Sequence, residues 1–392
     1  MELRDSVLPW MQSALSGRRT LTAIYAVFAL AAGIQSYVSP DKQFTEGGKY
    51  YTCYNNYVIF RNSYIHMAED RDMYVQYPDE QGDLYKYTPT FALFFGLFAM
   101  MPDWLGLCLW NLLNALVLLT AIYRLPGFTV RQKNIMLIIL LPELMTSLQN
   151  EQSNGLIAGL LIHAFVWMEA GRHFPAVMSV MASAFVKLFG VAGLAWLIFY
   201  PGRWKSAVYT VLATLLLAAV PLLMTSYDSY ASQLRSFGRM LGEDHTASYG
   251  YSVMGWLHTW FGLDGGKNTV LAIGGILLLL PFALINKYSN YQYRLLQLCS
   301  VLIWIVIFNH KAESPTFVIA MAGVVIWYMT MPKSRTNNIL LALALIFTSL
   351  SPTDIFPAWV RQNLVIPYTL KAVPCIIIWA KIWYESVSGK SE

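Results

Sequence analysis

Charge is what this chain has least of. Of its 392 residues only 12% are Asp, Glu, Lys or Arg, against roughly a quarter in soluble globular domains. With 56% hydrophobic residues and a mean hydropathy of +0.46, too little polar surface remains to clothe a body standing in water. Cysteine is scarce as well. Of Cys53, Cys108, Cys299 and Cys375, only Cys53 lies outside an apolar run, which excludes a disulfide framework and a zinc-knuckle spacing. There is no Walker-type phosphate loop and no serine-hydrolase elbow. "GLDGG" at 262–266 follows no strand and reads as a turn. The net charge of +5 is dispersed among short loops, which argues against a nucleic-acid footprint. No period of 20–50 residues recurs, and no inverted repeat of the transporter type is visible.

What the chain does have is apolar sequence, in run after run to its end. Aromatics make up 15% of it, with 13 Trp and 24 Tyr, many flanking the runs as interfacial belts do. This predicts an all-α polytopic transmembrane bundle forming a single integral membrane domain over residues 1–392. "LTAIYAVFALAAGIQSYV" has no small-x-small site near its end and reads as an uncleaved first span rather than a signal peptide. Arg4, Arg18 and Arg19 precede it and place the N-terminus inside. Further inner loops carry Arg124/Arg131/Lys133, Arg172, Arg203/Lys205, Lys287/Arg294 and Lys333/Arg335. The outer side then receives two long connections, 39–102 and 225–268, and shorter turns at 149–154, 309–315 and 351–367. Within the first, 88–102 is too short to span before Pro102 and reads as an interfacial helix. "NNYVIFRNSYIHMAED" spaces its apolar residues as an amphipathic surface helix would.

Residues 174–200 break the count. They are too few for two crossings of about 20 residues each, and one crossing would turn every later basic loop outward. A re-entrant helical hairpin, entering from the inner side and turning at "VKLFG", resolves both difficulties. Irregular backbone at such depth persists only when buried in protein or lining a cavity. Lys187 then sits at the tip, within the membrane profile. An intramembrane ionisable group marks function by default, although a snorkelling lysine on an ordinary span is the plainer reading.

The polar residues gather on the outer side. The first loop supplies Asn55, Asn56, Arg61, His66, Asp70, Asp72 and Lys86. The turn after it supplies Gln149, Asn150, Glu151, Gln152 and Asn154. The large loop adds Arg235, Arg239, Asp244, His245 and His258, and "FNHKAESPTF" adds His310, Lys311 and Glu313. Cations beside amides at lipid depth suit an anionic headgroup joined to a hydroxylated ligand. Bland readings accompany these. The acidic residues at 70–83 fit a solvated loop, His66 and His245 fit surface positions, and His163 fits a packing histidine bonded to a neighbouring helix. His310 and Glu313 without a third ligand make a weak metal pair.

The ordered pieces "NNYVIF", "YKYTPTFALFFGLFAMMP", "WNLLN", "EQSNGLIAGLL", "FVKLFG" and "FNHKAESPTF" resemble the membrane-embedded C-type glycosyltransferases. More narrowly, they resemble the polyprenol-phosphate-mannose-dependent mannosyltransferases of family 87, formerly the DUF2029 group. The resemblance covers about residues 50–320, through Tyr87–Pro89, Phe91–Leu93, Gln152–Asn154 and Val186–Lys187. Two departures stand out. Gly190 replaces a frequent proline, and Asn56 stands where the family's loop acid belongs, so the general base must lie elsewhere or be absent. The resemblance implies transfer of a hexose, mannose by family, from a polyprenyl-phosphate donor to an extracytoplasmic hydroxyl of a glycolipid or glycan, with inversion. It further implies a bacterial inner membrane, cytoplasmic termini, a site facing outward and no cofactor or metal. Glu313, Asp72 and Glu151, in that order, are the candidate bases. Lys187 is the candidate for the carrier phosphate. Asn56, Gln152, Asn154, His310, Lys311, Lys86 and Arg61 are candidates for substrate binding. A transporter or flippase of a lipid-linked saccharide, or a non-catalytic protein of envelope assembly, are the alternatives.

Overall fold

The computed structural model describes residues 17–44, 48–243, 249–263 and 266–388. Arg4, Asp244, His245 and the centre of the 262–266 turn lie outside the described residues. Helices dominate, and the one sheet among the described residues is a two-residue antiparallel pair, with Lys42 opposite Tyr51. Among the described residues three helices are long and apolar enough to cross a bilayer: α1, Arg18–Val38; α4, Asp103–Arg124; and Arg203–Leu223, which begins with α8, Arg203–Ala219. Between them come α2 (Asn55–Ala68), α3 (Pro89–Ala99), α5 (Val130–Leu148), α6 (Asn154–Glu169) and α7 (His173–Val186). After α8 follow α9 (Tyr227–Glu243), α10 (Val253–Phe261), α11 (Lys267–Leu279), α12 (Tyr291–Ile307), α13 (Phe317–Thr330), α14 (Arg335–Leu343) and α15 (Val373–Ser388).

The centre of the bundle is α13. Every residue from Phe317 to Trp327 is buried, so this helix has no amphipathic stripe and no face for solvent or lipid. The opposite extreme is α8, where Val208, Val211, Leu212, Leu215 and Leu216 are each more than half exposed. A band like this is untenable in water and is what contact with lipid requires. Small residues let other helices close up. A Cβ on Gly159 of α6 would lie 2.7 Å from the carbonyl carbon of Val117 in α4, an approach that only a missing side chain allows.

Residues 173–202 double back on themselves. α7 runs to Val186, Lys187 adopts an extended conformation, and a 3₁₀ helix runs from Leu188 to Phe199. The pairing is antiparallel. A Cβ on Gly190 would come within 2.5 Å of Ser183 Oγ, one on Gly193 within 3.1 Å of Val180, and Gly202 stands beside His173. Lys187 therefore occupies the tip, and both ends of the segment return to one side. The crowding at Gly190 also explains the glycine there, since any larger residue would drive into Ser183 and Ala184.

The layer built from α2 and α3 is more deeply packed than its sequence suggests. α2 is no surface helix. Tyr57, Ile59, Phe60, His66 and Met67 are all buried, because α3 lies across it. Phe60, Tyr87, Phe91, Phe95, Phe98 and Trp110 form a continuous set of tilted and edge-on ring contacts, an arrangement that adds about 0.5–1.5 kcal/mol per pair beyond area burial. α3 starts with Thr88 capping the Phe91 amide and Pro89 in the first turn. His66 corrects the expectation of a surface histidine. It is 1% exposed, bonded to Glu80 Oε2 at 2.7 Å and packed on Tyr77. His163 is a packing histidine, with Nε2 3.2 Å from Thr120 Oγ1 of α4. The two long outer connections meet through α9. Gln233 accepts from the Met73 amide and donates to the Arg71 carbonyl, and Ser236 donates to Asp72 Oδ2.

Candidate functional site

The hairpin tip faces the start of α6. Lys187 Nζ donates to Gln152 Oε1 at 3.0 Å and to Asn154 Oδ1 at 3.1 Å, and it lies 5.3 Å from the centroid of the Tyr87 ring. The Tyr87 hydroxyl also donates to Gln152 Oε1, at 3.2 Å. Burial, and then the negative charge of Glu313, hold that phenol well above its ordinary pKa, so it stays protonated and serves as a donor. Burial lowers the proton affinity of the Lys187 amine, and the charge of Glu313 opposes that. Three separate segments thus converge on one ammonium group. The amide nitrogen of Asn154 is buried beside it with no hydrogen-bond partner, an orphan donor of the kind a ligand oxygen satisfies.

The tip is held in place by α3, where Thr88 Oγ1 donates to the Phe185 carbonyl and Thr90 Oγ1 to the Leu217 carbonyl of α8. Behind these bonds opens an apolar groove of about 350 Å³, lined by Phe91, Phe94, Val117, Leu160, Phe185 and Val186 among others. It ends at the residue before Lys187. A second apolar groove of about 510 Å³ begins at Leu188 and Phe189 and runs between α11 and α12 to Asn309 and His310. The turn bearing His310 is built by Asn309, whose Oδ1 accepts from the Lys311 amide at 2.9 Å and whose carbonyl accepts from the Ala312 amide. Such self-capping is what asparagine does in turns. The turn leaves Glu313 exposed, and its charge acts on Tyr87.

The remaining candidates are placed as follows. Glu151 is 1% exposed, at φ +50°, and its carboxyl is pushed up to about 8, chiefly by burial, against the opposing effects of a Ser36 hydrogen bond and the Lys42 charge. At neutral pH it holds its proton, which suits a donor better than a base. Asn56 donates to the Asn150 carbonyl at 2.9 Å, joining α2 to the turn that carries Glu151. Asp72 engages both oxygens, one on the Tyr74 amide and one on Ser236, and so joins the two outer loops. Lys86 reaches Asp83 at 3.0 Å. Arg61 Nη1 donates to both carboxylate oxygens of Asp103 at the start of α4, at 2.7 and 2.6 Å. Sequence reasoning passed over Tyr87 as a site residue. Its signal was present in "YKYTP", where Tyr87–Pro89 entered only as a piece of the resemblance.

The arrangement offers a fixed cation, amide and phenol donors, an exposed carboxylate and an apolar trough, all near the N-terminal end of α6. No curated protein matches this chain. Among solved structures it is similar to ArnT from Cupriavidus metallidurans bound to undecaprenyl phosphate, with a TM-score of 0.48 and 12% identity over 93% of this chain and 77% of that one. The model of glycosyltransferase family 87 matches residues 85–308, more than half of the chain.

Proposed function

The chain belongs to glycosyltransferase family 87, and on that premise we propose that it transfers a hexose, mannose in this reading, from a polyprenyl-phosphate donor to a hydroxyl outside the cytoplasm, with inversion. The observation that carries the reading is the junction at Lys187. An ammonium held between Gln152 and Asn154 stands at the end of a groove that is apolar throughout. A prenyl chain in the groove brings its phosphate to that cation. The phosphate oxygens take hydrogen bonds from Lys187 and from the unpartnered amide of Asn154. The acceptor oxygen attacks the anomeric carbon, the bond from that carbon to the phosphate oxygen breaks, and the phosphate leaves with the electron pair. The acceptor proton passes to a carboxylate. Glu313 takes that role, because it is the exposed carboxylate whose field reaches both Tyr87 and Lys187. The fixed donors stabilise the charge that builds on the leaving group. Transfer of label from radioactive polyprenyl-phosphate mannose to a membrane extract tests the reading, and absence of transfer from any polyprenyl donor overturns it.

Three isosteric swaps separate the candidate bases. Glu313→Gln is expected to lower turnover by about 10²–10⁴-fold with donor affinity unchanged, the range that general-base catalysis supplies. Asp72→Asn is expected to loosen the joint between the loops and alter turnover less. Glu151→Gln is expected to be nearly silent, since a neutral carboxyl is already close to an amide in shape and charge. Full turnover in the Glu313 variant excludes that carboxylate.

The same reading places the chain in a bacterial inner membrane with cytoplasmic termini and treats 174–200 as a re-entrant hairpin. In a background lacking native cysteines, Arg172→Cys and Arg203→Cys are each expected to resist an impermeant thiol reagent applied from outside. Labelling of one of the two from outside shows a full crossing instead.

A further inference from the structure

The family match ends at Phe308, and the chain turns irregular between α14 and α15. Ala344–Leu350 and Arg361–Val365 are π-helical, a geometry that gathers at functional sites. Thr369, a β-branched residue 5% exposed, is held at φ +53°, where a side chain at Cβ is sterically penalised. In a membrane protein such backbone survives where it is packed in protein or lines a cavity. Arg361, Gln362 and Val365 of the second π-helical stretch line one, of about 210 Å³, together with Tyr251, Ser314 and Lys371. Lys371 forms its floor, held by Glu143 at 2.6 Å and by the Thr348 carbonyl at 2.7 Å. Arg361 stands at its side, bonded to the Pro352 carbonyl at 3.4 Å and to the exposed Asp354 at 3.0 Å. Ser314 Oγ is buried there without a partner.

We infer that this cavity is the acceptor subsite and that it receives one ring of a saccharide. The inference rests on the transferase reading for its place in the reaction. Hydroxyls on Ser314 and Ser351, the Tyr251 phenol, the Gln362 amide and the Arg361 guanidinium are the groups that hydrogen-bond ring hydroxyls. Both cations have carboxylate partners, so the cavity is not built to attract a bulk anion. Its size suits a ring and not a lipid chain. Its position is the strongest argument. Ser314 follows Glu313 directly, so the cavity and the proposed base share one turn. The Tyr251 amide donates to the Ala312 carbonyl at 2.8 Å and ties the wall to that turn.

The test uses the full chain in lipid nanodiscs, with Cys53→Ser and a reporter Ile366→Cys at the rim, and follows alkylation of the reporter by a maleimide. Methyl glycosides of mannose, glucose, galactose and N-acetylglucosamine are the probes, and inorganic phosphate is the control. At least one glycoside is expected to slow alkylation saturably, and adding Arg361→Ala is expected to raise the concentration required about tenfold, as loss of a charged hydrogen bond does. The inference is overturned by an absence of protection from all four glycosides, by protection that Arg361→Ala leaves unchanged, or by phosphate protecting as well as any sugar. The readout needs no turnover. A chain that is protected but transfers nothing sinks the transferase reading alone, and one that transfers without protection sinks only the subsite.

Discussion

Lys187→Ala is expected to remove sugar transfer while the chain still folds and inserts. The ammonium is half-buried at a tip, and it is held by Gln152 and Asn154 rather than by a carboxylate. Removing it strands no buried counter-charge, and the Tyr87 hydroxyl continues to satisfy Gln152 Oε1. The folding loss is therefore limited to two hydrogen bonds, about 1–3 kcal/mol each. The loss in catalysis is larger. A fixed donor aimed at a leaving group is worth about 10²–10³ in rate, and the same cation also holds the donor's phosphate in the ground state. Both kcat and donor affinity should fall. Lys187→Arg is expected to recover only part of the activity, because a planar fork does not fit between two amide oxygens as a compact ammonium does. Normal donor kinetics in the alanine variant at wild-type expression would remove Lys187 from the mechanism.

How much of this was legible in the sequence follows from how local each feature is. The doubling of 174–200 follows from segment length and from the positions of Arg172 and Arg203, and the structure folds that stretch so that Lys187 lies at its tip. Gln152 and Asn154 stood out through the resemblance, as amides in the turn that opens an apolar run. Features that depend on residues distant in the chain were not legible. Nothing in "NNYVIFRNSYIHMAED" reveals that α3 covers it or that Glu80 reaches His66. Arg61 was a candidate for substrate binding, and its pairing with Asp103 spans 42 positions. Asp72 looked like a free carboxylate, yet Ser236, 164 positions later, occupies it. Long-range pairing is set by topology, which hydropathy and spacing do not encode.

The pair most hidden in this way is Glu143 with Lys371. The two lie 228 positions apart, each in an unremarked apolar context, and the structure joins them at 2.6 Å with exposures of 0% and 1%. Lys371 also donates to the Thr348 carbonyl and lies 5.2 Å from the Phe317 ring centroid. One ammonium therefore ties α5, the π-helical turn after α14 and the start of α13 to the approach to α15. Breaking the pair from one side leaves a buried charge without its counter-charge. Glu143→Gln and Lys371→Met are each expected to destabilise the chain by about 3–5 kcal/mol, seen as a large fall in melting temperature in nanodiscs. Lys371→Met should cost the more, since it also strands the Thr348 carbonyl. Joining Glu143→Leu to Lys371→Met removes both charges and fills similar volume, and such replacements are often neutral or stabilising. The double variant is therefore expected to recover most of the lost stability. Its activity distinguishes two roles for the pair. If the ions only hold the helices together, the double variant regains turnover along with its fold. If Lys371 is the floor of an acceptor subsite, the double variant melts normally and still needs more acceptor for half-maximal rate, with donor dependence unchanged. Single variants as stable as wild type would show that the two charges are not buried together, and would remove the floor from the cavity.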